Sequence, residues 1–285
     1  METTILQFIE SIRCPFLDVF FGALSLFGET IPLILLICLL YWLYDKDFGQ
    51  RLVIVSFTSL CLNGFLKAAV ARPRPYVSGA VSRVEIDSAF LSTTDLNDYQ
   101  SFPSGHSQMS AGLFFTTAFR YQKNWVWILF PLLTLGVMCS RLYLGVHYPS
   151  DVLVGATLGI AFAYFWEFIF RKYAHKKYLL SVIFSSIAVI LAFITPTKDM
   201  IELCACLIGG TIALPIENEY VKFQIQSGWK KKTARAGVGL LCVGAEFLFF
   251  TLLTWQSLFF KFLKYFFLVL TAALAVPYLF KKLKI

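Results

Sequence analysis

Long apolar stretches follow one another along most of this chain and constrain its fold more than any other feature. A helix needs about 20 mostly apolar residues to cross a bilayer. Hydrophobic residues make up 58% of the 285 residues and charged residues 15%, whereas a soluble domain has roughly 45–50% and about 25%. The sequence therefore predicts an all-α transmembrane helix bundle and excludes soluble, disordered and disulfide-rich secreted proteins. About nine spans are predicted, approximately at 28–44, 51–70, 106–120, 125–142, 152–170, 178–195, 200–216, 236–254 and 261–280.

The residues before the first of these spans have a different pattern. Ile5, Phe8 and Ile12 recur at helical spacing, which predicts an amphipathic helix that lies at the membrane interface and does not cross it. The N-terminus has neither a basic region nor a small-residue cleavage site, so no removable signal peptide is expected.

Basic residues are concentrated in alternate loops and give the predicted orientation. The positive-inside rule assigns the more basic loops to the cytoplasm, so the opposite loops, 71–105 and 143–151, face outward. The cytoplasmic loops account for the net charge of +8. No nucleic-acid partner is expected, because no basic face is interleaved with aromatic residues. The cytoplasmic set comprises Lys46, Arg51, Arg120, Lys123, Arg171, Lys172, Lys176, Lys177, Lys222, Lys230, Lys231, Lys232, Arg235, Lys281, Lys282 and Lys284.

Lys67 and Arg74 lie at the outer end of the second predicted span. Two X-Pro pairs, at Pro73 and Pro75, end the helix here, because proline lacks the backbone donor and disfavours helical geometry in the residue before it. Lys67 then projects from the last turn and Arg74 from the extended chain. An ammonium group and a guanidinium fork form a phosphate clamp. A snorkelling lysine with an interfacial arginine is the alternative interpretation.

A second group of polar residues, Ser104, Gly105 and His106, directly precedes the third predicted span. Serine is a favoured N-cap, and the first backbone N–H groups of a helix have no partner within it. Glycine lets the backbone approach a ligand closely, so this helix start is suited to an anion. A plain helix cap with an unrelated histidine is the alternative.

The third group is Arg141 with His147 and Asp151, where one span ends and the next begins. His147 and Asp151 are four residues apart and share one helix face. A carboxylate on one imidazole nitrogen fixes the tautomer and leaves the other nitrogen as a nucleophile. A purely structural His–Asp pair is the alternative interpretation, and the presence of Arg141 nearby argues against it.

All three groups fall at span ends on the same predicted membrane face. Unrelated polar residues would be scattered over both faces. Three cations, a helix N-terminus and two histidines, with no cluster of carboxylates, indicate a site for a phosphate-like oxyanion that uses no metal and no cofactor.

These residues resemble the three motifs of the type 2 phosphatidic acid phosphatase (PAP2) family, whose superfamily includes vanadium haloperoxidases and glucose-6-phosphatase. The motifs K-x6-R-P, P-S-G-H and S-R-x5-H-x3-D match without departure. The resemblance covers roughly residues 28–195. The matching residues are Lys67, Arg74-Pro75, Pro103–His106, Ser140-Arg141, His147 and Asp151.

The resemblance implies a role for each residue. His147 would be the nucleophile and form a phosphohistidine, with Asp151 orienting it. His106 would protonate the leaving oxygen, and water would then hydrolyse the intermediate. The phosphoryl oxygens would be held by Lys67, Arg74, Arg141, Ser104 and Gly105.

The resemblance also implies a division of the chain. We expect an interfacial helix over 1–27, a PAP2-type six-helix core over 28–195, and about three additional spans over 196–285. The implied activity is hydrolysis of a lipid phosphate or diphosphate on the outer face of a membrane, and we expect this membrane to be a bacterial cytoplasmic membrane. Family substrates include undecaprenyl diphosphate, phosphatidylglycerol phosphate, phosphatidic acid, sphingosine phosphate and lipid A phosphates, and the sequence selects none of them.

Two other functions stay open at the level of the sequence. A vanadate-dependent haloperoxidase would use the same residues, because vanadate mimics a pentacoordinate phosphoryl group, although the resemblance there is to soluble enzymes. A non-enzymatic phospholipid carrier would give a role to the C-terminal spans. Glu202 and Glu246 lie in apolar runs there, where an ionisable group is costly and often functional. A glutamate near a span end that pairs with a lysine or contacts water is the simpler interpretation.

Overall fold

A computed structural model describes residues 1–86, 93, 96–225, 228–253 and 257–285. Within these residues the protein is all-helical and has no β-strand. The helices are α1 (Glu2–Ser11), α2 (Pro15–Ser25), α3 (Thr30–Leu43), α4 (Lys46–Val70), α5 (Gly105–Tyr121), α6 (Asn124–Tyr143), α7 (Pro149–Lys172), α8 (Lys177–Ile194), α9 (Lys198–Ile216), α10 (Trp229–Leu252), α11 (Leu258–Leu270) and α12 (Val276–Leu283).

The predicted polytopic membrane fold is confirmed. Seven of the helical segments in the described residues are long and apolar enough to cross a bilayer, or eight if a bent pair of helices is one span. That pair joins Pro15–Gly28 to Thr30–Leu43 with a bend of 50°. Each of the nine predicted spans coincides with helical structure, but α5 has only 17 residues.

The N-terminal segment differs from the single helix expected before the first span. It forms two helices, α1 and α2, and a 3₁₀ turn over Leu26–Gly28. The chain is extended at Cys14, and Pro15 begins α2. Proline is favoured at the first position of a helix because its missing N–H would be unsatisfied there in any case. The location of this segment at the membrane interface stays a prediction.

The described chain divides into two compact units. The first consists of Met1–Ile34 and Leu62–Arg171, and the second of Leu35–Cys61 and Lys172–Ile285. The sequence boundaries 1–27, 28–195 and 196–285 stay predictions. In the first unit, α6 packs against α1, α2 and α5. One buried apolar cluster joins α5, α6 and α7 through Ala111, Met138, Val152 and Ala156.

The second unit contains the C-terminal helices. Here α9 packs against α8 and α11, and α10 contacts α11 and α12. Tyr41 and Trp42 donate hydrogen bonds to carbonyl groups of the π-helical segment Thr271–Ala275, at 3.0 and 2.8 Å. A π-helical turn is usually a local interruption of an α-helix, and these two aromatic residues hold this interruption by hydrogen bonds to its carbonyl groups.

The two glutamates singled out in the sequence lie in this second unit. Glu202 Oε1 is 4.0 Å from Lys198 Nζ, one turn earlier in α9. Glu246 lies in α10, and one oxygen of its carboxylate is buried without a hydrogen-bond partner among the described residues. The lysine neighbour agrees with the simpler interpretation for Glu202. Neither residue belongs to the unit that holds the three motifs.

Candidate active site

Two glycines of α7 allow the second and third motif segments to lie against each other. A Cβ atom on Gly155 would be 2.4 Å from the carbonyl oxygen of Ser104, and one on Gly159 would be 2.3 Å from that of Gln108. Both distances are far below a van der Waals contact, so only glycine fits. Small residues permit such close helix approach within membranes, and here they bring the start of α5 against α7.

The start of α5 has the cap that its sequence predicts. Ser104 is the N-cap residue, and its side chain accepts a hydrogen bond from the backbone N–H of Ser107. The backbone N–H of Ser104 donates to the carbonyl of Asp151 at 3.0 Å. Ser104 is fully buried. The cap and the third motif are therefore joined directly through the backbone.

Lys67 lies beside this helix start. A Cβ atom on Gly105 would be 3.8 Å from Lys67 Nζ and 3.5 Å from Asn63 Oδ1. Asn63 and Lys67 are one turn apart on α4, and Asn63 Nδ2 donates to Gln108 Oε1 at 2.8 Å. The ammonium group of the first motif and the glycine of the second motif thus line the same space.

Arg74 connects the first motif to the third. The residue is 2% exposed, and its guanidinium donates to the carbonyl groups of Asn97 and Val146, at 2.8 and 2.9 Å. Arg74 Nη1 also lies 3.3 Å from His147 Nε2. Hydrogen bonds to two backbone carbonyl groups thus hold the Arg74 guanidinium next to His147 Nε2.

Asp151 faces the other ring nitrogen of His147. The distance from His147 Nδ1 to Asp151 Oδ2 is 3.6 Å, and both side chains are buried. This distance is longer than a hydrogen bond. Oδ2 accepts hydrogen bonds from the Ser101 hydroxyl at 2.5 Å and from the backbone N–H of Tyr148 at 2.8 Å. Asp151 is therefore held in place independently of the histidine.

The environment of His147 keeps its imidazole neutral. Burial disfavours the charged form, and the positive charges of Arg74, Arg141 and Lys67 disfavour it further. The pKa of His147 is therefore well below its usual value of 6.5. A neutral imidazole with Asp151 on the Nδ1 side has a lone pair on Nε2, which is the atom that faces Arg74.

Arg141 is fully buried, and only part of its donor set is used. Nη1 donates to the Ser25 hydroxyl at 2.5 Å. Nε and Nη2 are buried and have no hydrogen-bond partner among the described residues. Such unsatisfied donors are costly unless a ligand satisfies them. A guanidinium with two adjacent open donors matches two oxygens of a phosphoryl group.

His106 is the remaining motif residue, and it has a carboxylate partner that the sequence did not indicate. His106 Nε2 lies 2.7 Å from Oε1 of Glu29, and both side chains are 18% exposed. Glu29 follows the 3₁₀ turn at the bend before α3.

The structure thus places all eight predicted site residues in the first compact unit, at the facing ends of α4, α5, α6 and α7. Sequence reasoning missed several residues that hold them. Glu29, Ser25 and Ser101 belong to no motif. The signal for Glu29 was a carboxylate at the start of an apolar run, at the end predicted to face outward. Arg72 was missed as well, although it binds Asp151.

Comparisons with known proteins identify the family of the chain. Residues 49–176 match the family model described as the PAP2 superfamily, and residues 201–285 match a second model, described as the PAP2 superfamily phosphatase transmembrane extension. Phosphatidylglycerophosphatase B of Bacillus subtilis is 31% identical over 162 residues, which cover 52% of this chain and 73% of that protein. The chain belongs to the PAP2 superfamily.

The chain is also similar to a second named phosphatase and to a protein of known structure. The lipid A 4'-phosphatase of Bacteroides thetaiotaomicron is 29% identical over 185 residues, or 62% of this chain and 78% of that protein. The crystal structure of LpxE from Aquifex aeolicus is 26% identical with a TM-score of 0.47, and the alignment covers 58% of this chain and 93% of that one.

Membership of the PAP2 superfamily confirms two predictions. The chain is an integral membrane protein of a lipid phosphatase family, and its enzyme class is that of a phosphoric monoester hydrolase. The family match to 201–285 is new, because the sequence resemblance gave no support to the last spans. These helices are a recognised PAP2 extension.

Proposed function

We propose that this PAP2 protein hydrolyses a lipid phosphate or diphosphate through a phosphohistidine on His147, without a metal ion. The observation that carries this proposal is the position of His147 between Asp151 on Nδ1 and Arg74 at Nε2. A buried neutral imidazole held between an orienting carboxylate and a phosphate-binding cation is prepared for in-line attack on phosphorus.

The reaction has two steps. In the first, His147 Nε2 attacks phosphorus, a P–N bond forms, and the P–O bond to the lipid breaks as His106 gives its proton to the leaving oxygen. In the second, His106 takes a proton from water, whose oxygen attacks phosphorus, and the P–N bond breaks to release inorganic phosphate. Both steps pass charge onto the equatorial oxygens. Lys67, Arg74 and Arg141, with the N–H groups at the start of α5, stabilise that charge.

A lipid substrate is supported by the placement of the site and by the relatives. The motif residues lie at the ends of membrane helices, where a lipid head group arrives by lateral diffusion. The related proteins named above act on lipid A and phosphatidylglycerophosphate, and an undecaprenyl-diphosphatase of Sulfolobus acidocaldarius is 32% identical over 122 residues. The shared chemistry is a phosphate ester of a lipid alcohol.

The site faces the extracytoplasmic side in this proposal, because the basic loops lie at the opposite helix ends. Cysteine labelling tests the orientation in a chain whose exposed Cys14 and Cys139 are replaced by serine. In sealed right-side-out vesicles, an impermeant maleimide should label Tyr99→Cys in the 71–105 loop. It should label Lys176→Cys only after the vesicles are opened. The reverse pattern would refute the orientation.

Phosphate release by detergent-purified protein in the presence of EDTA tests the activity. The panel contains phosphatidylglycerol phosphate, phosphatidic acid, undecaprenyl diphosphate, sphingosine phosphate and a lipid A phosphate, with glucose 6-phosphate as a soluble comparison. Lipid-selective release that survives EDTA and disappears in His147→Ala is expected. An acid-labile phosphoenzyme that is absent from His147→Ala would identify the intermediate. Absence of release from every substrate would refute the proposal.

A further inference from the structure

Among the residues that the structure describes, Glu29 is the carboxylate that contacts the proposed acid–base residue His106 without belonging to a PAP2 motif. Its Oε1 lies 2.7 Å from His106 Nε2. Since an ionised carboxylate only accepts hydrogen bonds, His106 is the donor, and its Nε2 carries a hydrogen.

The backbone beside Glu29 is also fitted against His106. A Cβ atom on the preceding residue, Gly28, would lie 2.9 Å from His106 Cβ and 3.0 Å from the His106 carbonyl oxygen. Glycine is therefore required there for the chain to pass His106 closely. Glu29 itself lies at the bend of 50° between Pro15–Gly28 and Thr30–Leu43. The close passage of the backbone at Gly28 therefore supports the contact between Glu29 and His106, in addition to their electrostatic attraction.

Several charged groups act on His106 in addition to Glu29. Lys67 on α4 and Arg141 on α6 disfavour a positive charge on the ring, and His147 is a further titratable neighbour. Glu29 is the carboxylate among these groups, and its charge favours the imidazolium. An acid catalyst must hold a proton before it can donate one. Without the carboxylate of Glu29, the charges of Lys67 and Arg141 would disfavour protonation of His106.

We infer that Glu29 is a positioning residue for the leaving-group acid, a role that rests on the phosphatase function proposed above. By accepting from Nε2–H, Glu29 fixes the tautomer of His106 and assigns the transferable proton to Nδ1. The proton passes from Nδ1 to the lipid oxygen as the P–O bond breaks, and Nδ1 then accepts a proton from the attacking water. Nε2–H stays bonded to Glu29 throughout.

The test compares two leaving groups. The alkoxide of a lipid alcohol needs protonation as it leaves, whereas the p-nitrophenolate of p-nitrophenyl phosphate does not. General acid catalysis contributes roughly 10²–10⁴-fold. Glu29→Gln should therefore lower kcat/KM on the lipid phosphate by about 100-fold and kcat/KM on p-nitrophenyl phosphate by less than about threefold, because kcat/KM ends with departure of the leaving group and excludes the later hydrolysis of the phosphoenzyme, which both substrates share. The alkaline limb of the lipid reaction should also move to lower pH in this variant, because the group that favours the proton on His106 is gone.

Glu167→Gln is the matched control. Glu167 is also a mostly buried glutamate in an ion pair, at 2.5 Å from Arg171, but it lies 16 residues beyond Asp151 on α7, about 24 Å along the helix axis. Loss of this carboxylate should leave the ratio of the two activities unchanged. In a His106→Ala background, Glu29→Gln should cause no further loss on the lipid substrate.

Equal losses of kcat/KM on both substrates, or no loss on either, would overturn the inference. If Glu29→Gln cannot be purified as a folded protein, Glu29→Asp replaces it. The shorter side chain should lower the rate on the lipid phosphate more than the rate on p-nitrophenyl phosphate. Because aspartate keeps the negative charge, the alkaline limb of the pH profile should stay close to that of the wild type. The two proposals fail differently. A wild type that releases no phosphate refutes the phosphatase, whereas an active wild type with an inactive His147→Ala and an unaffected Glu29→Gln refutes only the role of Glu29.

Discussion

Arg72 Nη1 lies 2.7 Å from Asp151 Oδ1, the carboxylate oxygen opposite the one that faces His147. Arg72 Nη2 is 2.8 Å from Glu2, and its guanidinium lies over the ring of Tyr148 at 4.0 Å. A chain of charges therefore runs from the first helix through Arg72 to the carboxylate that orients the proposed nucleophile. The N-terminal helix α1 is connected to the active site by this chain.

The first prediction concerns Arg72. Arg72→Gln should lower kcat by about tenfold, because loss of a hydrogen bond to a charged group costs about 1.5–3 kcal/mol and this side chain is partly exposed. The loss should be in kcat rather than in KM, since Arg72 contacts Asp151 and not the phosphoryl group. Steady-state kinetics on the preferred lipid phosphate measures both constants.

Arg83→Gln serves as the control for Arg72. Arg83 is an arginine of the same loop with a similar exposed fraction, 21% against 27%. It donates to the carbonyl of Thr93 and has no contact with Asp151. Activity that falls equally in both variants would show that the loop tolerates no change of charge, and would contradict a specific role of Arg72.

The second prediction is a pH dependence. Burial and the neighbouring cations hold the pKa of His147 well below 6.5. A depressed pKa means that the imidazole stays unprotonated, and so nucleophilic, as the pH falls through 6.5. The acid limb of kcat/KM, which reports groups of the free enzyme, should therefore lie below pH 6.5. A midpoint at or above pH 6.5 would contradict a neutral, buried nucleophile.

Most of the fold could be predicted from the sequence, because hydropathy acts locally. Each of the nine predicted spans coincides with helical structure, and the Ser104 cap lies where residue preference places it. The break at Cys14 and Pro15 was missed, because helical periodicity continues across it. The proline was the available signal for the second helix.

The motif residues could be found because each lies at the end of a span, so that topology alone puts them on one face. The residues that hold them could not. Glu29 and His106 are 77 residues apart, and their contact depends on the bend before α3 and on the close passage of Gly28. Ser25 and Arg141 are 116 residues apart. Such contacts are set by helix packing, which local sequence preference does not determine.

The third prediction concerns the glycine that joins α7 to the start of α5. Gly155→Ala places a methyl group 2.4 Å from the carbonyl oxygen of Ser104. The backbone must move, and overpacking of this kind costs about 1–3 kcal/mol. We expect a lower melting temperature in detergent and a larger loss of activity than of folded protein, because the displaced segment carries Ser104 and Gly105.

Gly237→Ala on α10 is the matched helical glycine for that experiment, since nothing lies within 4 Å of its Cβ position among the described residues. There the exchange should be neutral or stabilise the protein by up to about 1 kcal/mol, because alanine has the higher helix propensity. An unchanged melting temperature and full activity in Gly155→Ala would show that α7 and α5 are not in close contact.

The last prediction concerns the shape of the phosphate clamp. Arg141→Lys keeps the positive charge but removes the planar fork, whose Nε and Nη2 are the buried donors without partners among the described residues. Lysine also cannot reproduce the bond of Nη1 to Ser25 while it donates two parallel bonds to a phosphoryl group. Since these donors act on charge that develops in the transition state, kcat should fall by about 100-fold or more. Retention of activity within about threefold would mean that Arg141 acts as a point charge, and that its buried fork does not bind the phosphoryl oxygens.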